Sequence, residues 1–142
     1  MNKIENKFYT REHVWWASVL GGPLIGCYLV SQNYRNFGQA VRARKLFVVS
    51  VTISLLLIAL LINLPEDILA SMPKWVKHTI PLSYTIFWAS YVEQFQAYCI
   101  KNNVAQGWQK YSAKRVVFLA LISLIISFLY TLLIGFLVLN VF

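Results

Sequence analysis

The run LFVVSVTISLLLIALLINL, residues 46–64, contains nineteen residues without a charge, and its reading decides the fold. At ~1.5 Å per residue a helix of that length is about 28 Å long, close to the ~30 Å hydrocarbon core of a bilayer. A second run, 116–140, is just as apolar and longer, enough to cross with tilt or overhang. Two less uniform stretches flank these. Residues 14–30 are apolar but interrupted by Gly21-Gly22-Pro23, and residues 80–100 include Ser83, Ser90, Glu93, Gln94 and Gln96. The pattern predicts an all-α integral membrane protein: one transmembrane domain over 1–142, with four transmembrane helices at about 14–30, 46–64, 80–100 and 116–140. These would form two consecutive helical hairpins.

Composition agrees. The chain is 58% hydrophobic and 13% charged, with a mean hydropathy of +0.59, whereas soluble domains carry about 25% charged residues. A single core in a chain of 142 residues cannot hide that much apolar surface from water. Two cysteines, Cys27 and Cys99, rule out a disulfide framework; both fall toward reducing cytoplasmic ends, where thiols act as small packing groups. Leu24-Ile25-Gly26-Cys27 has the look of a lipoprotein cleavage box. The acids Glu5 and Glu12 and the broken apolar centre do not fit a signal peptide, so an uncleaved first span is expected.

The formal charge of +8 is placed for topology rather than for nucleic acid. Residues 31–45 hold Arg35, Arg42, Arg44 and Lys45, residues 101–115 hold Lys101, Lys110, Lys114 and Arg115, and neither contains an acid. Four of the five acids fall in the termini and the 65–79 loop. Short cytoplasmic loops collect Lys and Arg, so both basic loops are expected inside, with both termini and the middle loop outside. Trp15, Trp16 and Trp75 then mark the outer interface, and Tyr34 and Trp108 the inner one. Arg35, Arg42, Arg44, Lys45, Lys110, Lys114 and Arg115 are candidate docking residues for anionic phospholipid headgroups or for an acidic protein partner. Neither loop is long enough to build a nucleic-acid-reading module.

Ser18, Gly22 and Gly26 recur every four residues, with Gly21 beside them, which on one helix makes a stripe for close backbone approach. Pro23 predicts a kink near Val19–Gly22. The stripe reads as a packing seam with a bend; the sharper alternative is a broken helix whose free backbone coordinates an ion or substrate. Glu93 is the sole acid inside an expected span, with Gln96 on the same general face. A carboxyl at that depth is costly and should face protein or water, which makes Glu93 and Gln96 a possible intramembrane polar site. A hydrogen-bonded structural carboxyl, or a membrane boundary near Val92, explains it equally. Trp15-Trp16-Ala17-Ser18 resembles Phe87-Trp88-Ala89-Ser90, as 33–45 resembles 103–115, which points to an internal repeat of two parallel units.

No cofactor or metal is expected. Haem between spans needs paired intramembrane histidines, and His13 and His78 fall at the outer boundary. No nucleophile elbow, zinc-protease helix or phosphate loop is present in the sequence, so the expectation is not an enzyme.

The segment from Gly21-Gly22-Pro23 to Asn33-Tyr34, followed by the basic turn Arg42–Lys45, resembles a pattern in small uncharacterised bacterial multi-pass membrane proteins. That resemblance implies the cell inner (plasma) membrane and carries no activity. The function expected is non-enzymatic association, as a homo-oligomer or as the membrane subunit of a larger complex. The alternative is a small oligomeric ion or proton pore, transporter or membrane-perturbing effector using Glu93.

Overall fold

The computed structural model describes residues 6–141, apart from the side chains of Pro23, of several residues between 61 and 81, and of those beyond 137. The chain runs β1 (Lys7–Phe8), α1 (Arg11–Gly21), α2 (Pro23–Asn36), α3 (Ala40–Ile62), α4 (Glu66–Ser71), α5 (Lys74–Tyr91), a π-helical turn (Val92–Gln96), α6 (Ala97–Ala105), β2 (Gln109–Lys110) and α7 (Ala113–Val141). It is all-helical apart from one short parallel pair, with Lys7 opposite Gln109 and Phe8 opposite Lys110.

The first stretch departs most from expectation. Thr10 caps α1: its hydroxyl accepts from the His13 amide while the His13 ring accepts from the Thr10 amide, so two end donors are satisfied reciprocally. After eleven residues the helix stops at Gly22, which has φ +74 and ψ −162. An L side chain rarely adopts that conformation. Pro23 restarts the helix at its first position, where a missing N–H costs nothing. The result is a reversal rather than a kink. The end of α2 returns to the start of α1, since the Asn33 amide bonds both backbone groups of Tyr9 and Asn36 reaches the Lys7 carbonyl. Residues 14–30 therefore form a helical hairpin and not the single span predicted.

Small residues set the depth of that hairpin. A Cβ on Gly21 would sit 2.6 Å from the Ala120 carbonyl oxygen of α7, and one on Gly26 would sit 2.6 Å from the Trp88 ring of α5. Ser123 of α7 donates to the Gly21 carbonyl at 2.9 Å and so satisfies an end carbonyl of α1. Of the stripe expected of Ser18, Gly22 and Gly26 with Gly21 beside it, Gly21 and Gly26 make these close approaches, on two helices rather than one, while Gly22 has open surroundings.

From Gln39 the chain turns sharply into α3, with the Gln39 amide on the Tyr34 carbonyl. The helices α3 and α7 start at the same end and run parallel, Tyr130 of α7 donating to the Leu55 carbonyl of α3. Between them α5 runs back: Tyr84 bonds Ser54 of α3, Tyr91 meets Tyr34 of α2, and Gln96 reaches Asn33. Buried side chains gather around the α1–α2 hairpin, with Tyr9, Val14, Cys27, Leu29, Val30 and Tyr34 almost fully enclosed. In contrast α3 and α7, the two helices among the described residues that are long and apolar enough to cross a membrane, bury only 11% of their apolar windows.

Two further expectations change. Pairing of β1 with β2 puts the N-terminal segment and the 101–115 segment at one end of the molecule, whereas opposite sides were expected. The basic loops are also largely helical, because Lys and Arg are good helix formers. Residues 31–36 complete α2, Arg42, Arg44 and Lys45 lie in the first turns of α3, and α6 continues to Ala105. The internal likeness visible in space is also a different one. Tyr9-Thr10 before α1 matches Tyr111-Ser112 before α7: each hydroxyl caps the amide three residues on, the rings stack at 4.2 Å, and Val14 and Val116 are both buried.

Candidate functional site

Asn33 organises the end where these elements meet. Its Oδ1 accepts from the Tyr9 amide at 2.7 Å, and its Nδ2 donates to the Tyr9 carbonyl and to Gln96 Oε1, each at 2.9 Å. Donor and acceptor on one residue's backbone are met by one side-chain amide, as a neighbouring strand would meet them. Gln96 passes the network on, its Nε2 donating to the Val30 carbonyl at 2.9 Å. Asn36 does the same one turn later, reaching the Lys7 carbonyl at 2.8 Å and the Tyr111 hydroxyl at 3.0 Å. Asn33 and Gln96 are wholly buried and Asn36 nearly so, so the clasp ties β1, α2, the π turn and β2 with hydrogen bonds that water does not contest.

The π turn explains why Glu93 and Gln96 part company. Its wider winding turns Val92 and Gln96 inward, and π turns of this kind recur where a helix must aim a side chain. Glu93 faces outward, 57% exposed, with its carboxylate accepting from Arg11 at 3.0 Å. The carboxyl expected to be the sole acid of its span is paired with Arg11 at the start of α1, and the buried polar residue of the two is Gln96. Such an exposed pair contributes about 0–1 kcal/mol.

Cations surround the clasp. Arg42 lies over the Tyr34 ring at 4.8 Å and Arg115 over the Tyr111 ring at 4.3 Å, attractions that tether both guanidinium groups. Arg35 and Arg44 line a cleft of about 390 Å³ between α2 and α3. Lys45, Lys110 and Lys114 are exposed. Burial pushes the Tyr9 hydroxyl well above the ordinary phenol range, and the Arg115 charge offsets only part of that, so Tyr9 is neutral at any physiological pH.

Gln96, Gly21, Gly26 and the basic residues at this end were named from the sequence. Sequence reasoning missed Tyr9, Asn36, Tyr111, Ser123 and the partnership of Arg11 with Glu93. The doubled Tyr-Thr and Tyr-Ser pair before two helices was the available signal. Among the described residues no group of three His, Cys, Asp or Glu is placed to hold a metal. The His78 side chain lies outside the described residues. No family model, curated protein or solved structure matches the chain.

Proposed function

We propose that the chain is an integral membrane protein with three crossings, α3, α5 with its π turn, and α7. The α1–α2 hairpin enters the bilayer from the cytoplasmic face and returns. The observation that carries this reading is the outward apolar surface of α3 and α7, 11% buried, since the core helix of a soluble domain is mostly covered. Two parallel crossings require the chain between them to cross back, and α5 is the segment that returns. The hairpin tip meets α7 at Ser123, ten residues from its start, a depth of about 15 Å at ~1.5 Å per residue. Turning backbone at such depth is tolerated where protein covers it.

Charge supports the orientation. Lys7, Arg11, Arg35, Arg42, Arg44, Lys45, Lys101, Lys110, Lys114 and Arg115 stand at the clasp end against Glu12 and Glu93. At the other end Lys74 and Lys77 are balanced by Glu66 and Asp67. Positive charge held inside makes the clasp end cytoplasmic, with the N-terminus inside and the C-terminus outside, in a plasma-type inner membrane.

The protein works by association, not catalysis: Asn33, Asn36 and Gln96 hold elements together, and the cationic end is left to meet anionic lipid and an acidic protein surface or a second subunit. Gentle extraction followed by native mass spectrometry tests this. An oligomer or a co-purifying partner that dissociates when Lys45, Lys110 and Lys114 become Gln is expected; a monomer without company would overturn it.

A further inference from the structure

Two clefts on one side of the molecule share two of their walls. The first, at the cationic end, is lined by Ser31, Gln32, Arg35, Ala40 and Arg44 together with Tyr28 and Phe47. The second lies deeper between α2, α3 and α7, is about 380 Å³, and is lined by apolar side chains such as Ile25, Val51, Leu119 and Ile122, again with Tyr28 and Phe47. Helical spacing makes them one channel. On α2 the walls are residues 24, 28, 31 and 35, and on the antiparallel α3 they are 40, 44, 47 and 51, steps of three and four that stay on one face. Along both helices chemistry changes in the same direction: guanidinium and small polar groups at the cationic end, a pair of edge-on aromatic rings 6.3 Å apart, then hydrocarbon.

Arg35 and Arg44 have exposed side chains and no acid or hydrogen-bond partner among the described residues. Two like charges on one cleft repel unless an anion joins them, and a guanidinium fork matches phosphate oxygens. Ser31 leaves the phosphate to the two arginines, because its hydroxyl donates its proton to the Tyr28 carbonyl at 2.8 Å.

We infer that this channel is a binding site for one anionic phospholipid of the cytoplasmic leaflet, its phosphate between Arg35 and Arg44 and an acyl chain laid along Ile25, Val51, Leu119 and Ile122. The inference rests on the membrane orientation proposed above. It goes beyond general attraction of cations to headgroups, since it singles out two of the exposed cations and pairs them with a hydrocarbon groove.

The test uses the full chain in nanodiscs of mixed phosphatidylglycerol and phosphatidylcholine, with retained lipid read by native mass spectrometry. Parent protein should keep one phosphatidylglycerol in preference to phosphatidylcholine. R35Q/R44Q should lose that preference by about tenfold or more, given the attraction of each cation near a charged headgroup, while K7Q/K101Q, equal in charge but outside the cleft, should keep it. Ile122→Trp, a partly exposed position, should lower retention of both lipids by filling the groove. Free glycerol phosphate should not displace the lipid. Equal losses in the two charge variants would mean diffuse attraction, displacement by glycerol phosphate a chainless anion site, and unchanged retention in R35Q/R44Q no site; each overturns the inference. Circular dichroism and elution volume confirm that the variants fold. Release of the protein from membranes by salt alone would instead defeat the membrane reading itself.

Discussion

Asn33 gives one side-chain amide three partners in a site with no water to replace them. Asn33→Asp keeps the acceptor for the Tyr9 amide but sets oxygen against the Tyr9 carbonyl and Gln96 Oε1. Each buried group left unsatisfied costs about 1–3 kcal/mol, so N33D should unfold in denaturant with a clear loss of stability. Gln96→Leu should lose less, since the remaining amide still holds Tyr9. The two glycines of the hairpin separate conformation from space. Gly22 has φ +74 and open surroundings, whereas Gly21 has backbone of Ala120 within 3 Å of any Cβ. Gly22→Ala should cost about 1–2 kcal/mol from left-handed strain alone. Gly21→Ala should cost as much or more by pushing α1 from α7, and a compensating change at Ala120 cannot rescue it because the obstacle is main chain. Thermal melts of the detergent-solubilised variants check both.

At the level of elements, the easy readings came from α3 and α7. A charge-free run of that length admits little besides a membrane-length helix, and the structure places both helices where the runs stand. The 14–30 stretch was legible in composition but not in path. A Gly-Pro pair fits a bent rod and a hairpin equally, and the choice is made by Asn33 closing on Tyr9, twenty-four residues away. The partner of Glu93 was illegible for the same reason, since Arg11 comes from another helix. The strand pair gives this path a direct check. In a chain whose native cysteines are replaced by Ala and Ser, Lys7→Cys and Gln109→Cys stand in register on adjacent strands, about 4.8 Å apart. Mild oxidation of isolated membranes should join them in most molecules. Lys7→Cys paired with Met72→Cys, beyond the far end of α3, should give no crosslink.

For the whole molecule, the core sits at one end and the hydrocarbon-facing helices extend beyond it. Such a body suits a bilayer, where the exposed faces of α3 and α7 lose nothing by meeting lipid and the Gly21 carbonyl at the hairpin tip is met by Ser123. It also explains the charge. Moving the first segment from a crossing to a hairpin brings Lys7 and Arg11 to the same side as both basic turns, and the positive-inside bias becomes stronger than the four-span arrangement allowed. The three crossings proposed are an odd number, which would put the two termini on opposite sides, whereas four spans would put them together. Reporter tags placed at residue 1 and after residue 142, each scored for cytoplasmic or external activity in intact cells, measure this most directly. A cytoplasmic N-terminus with an external C-terminus is the predicted result; both tags active on the same side would contradict it.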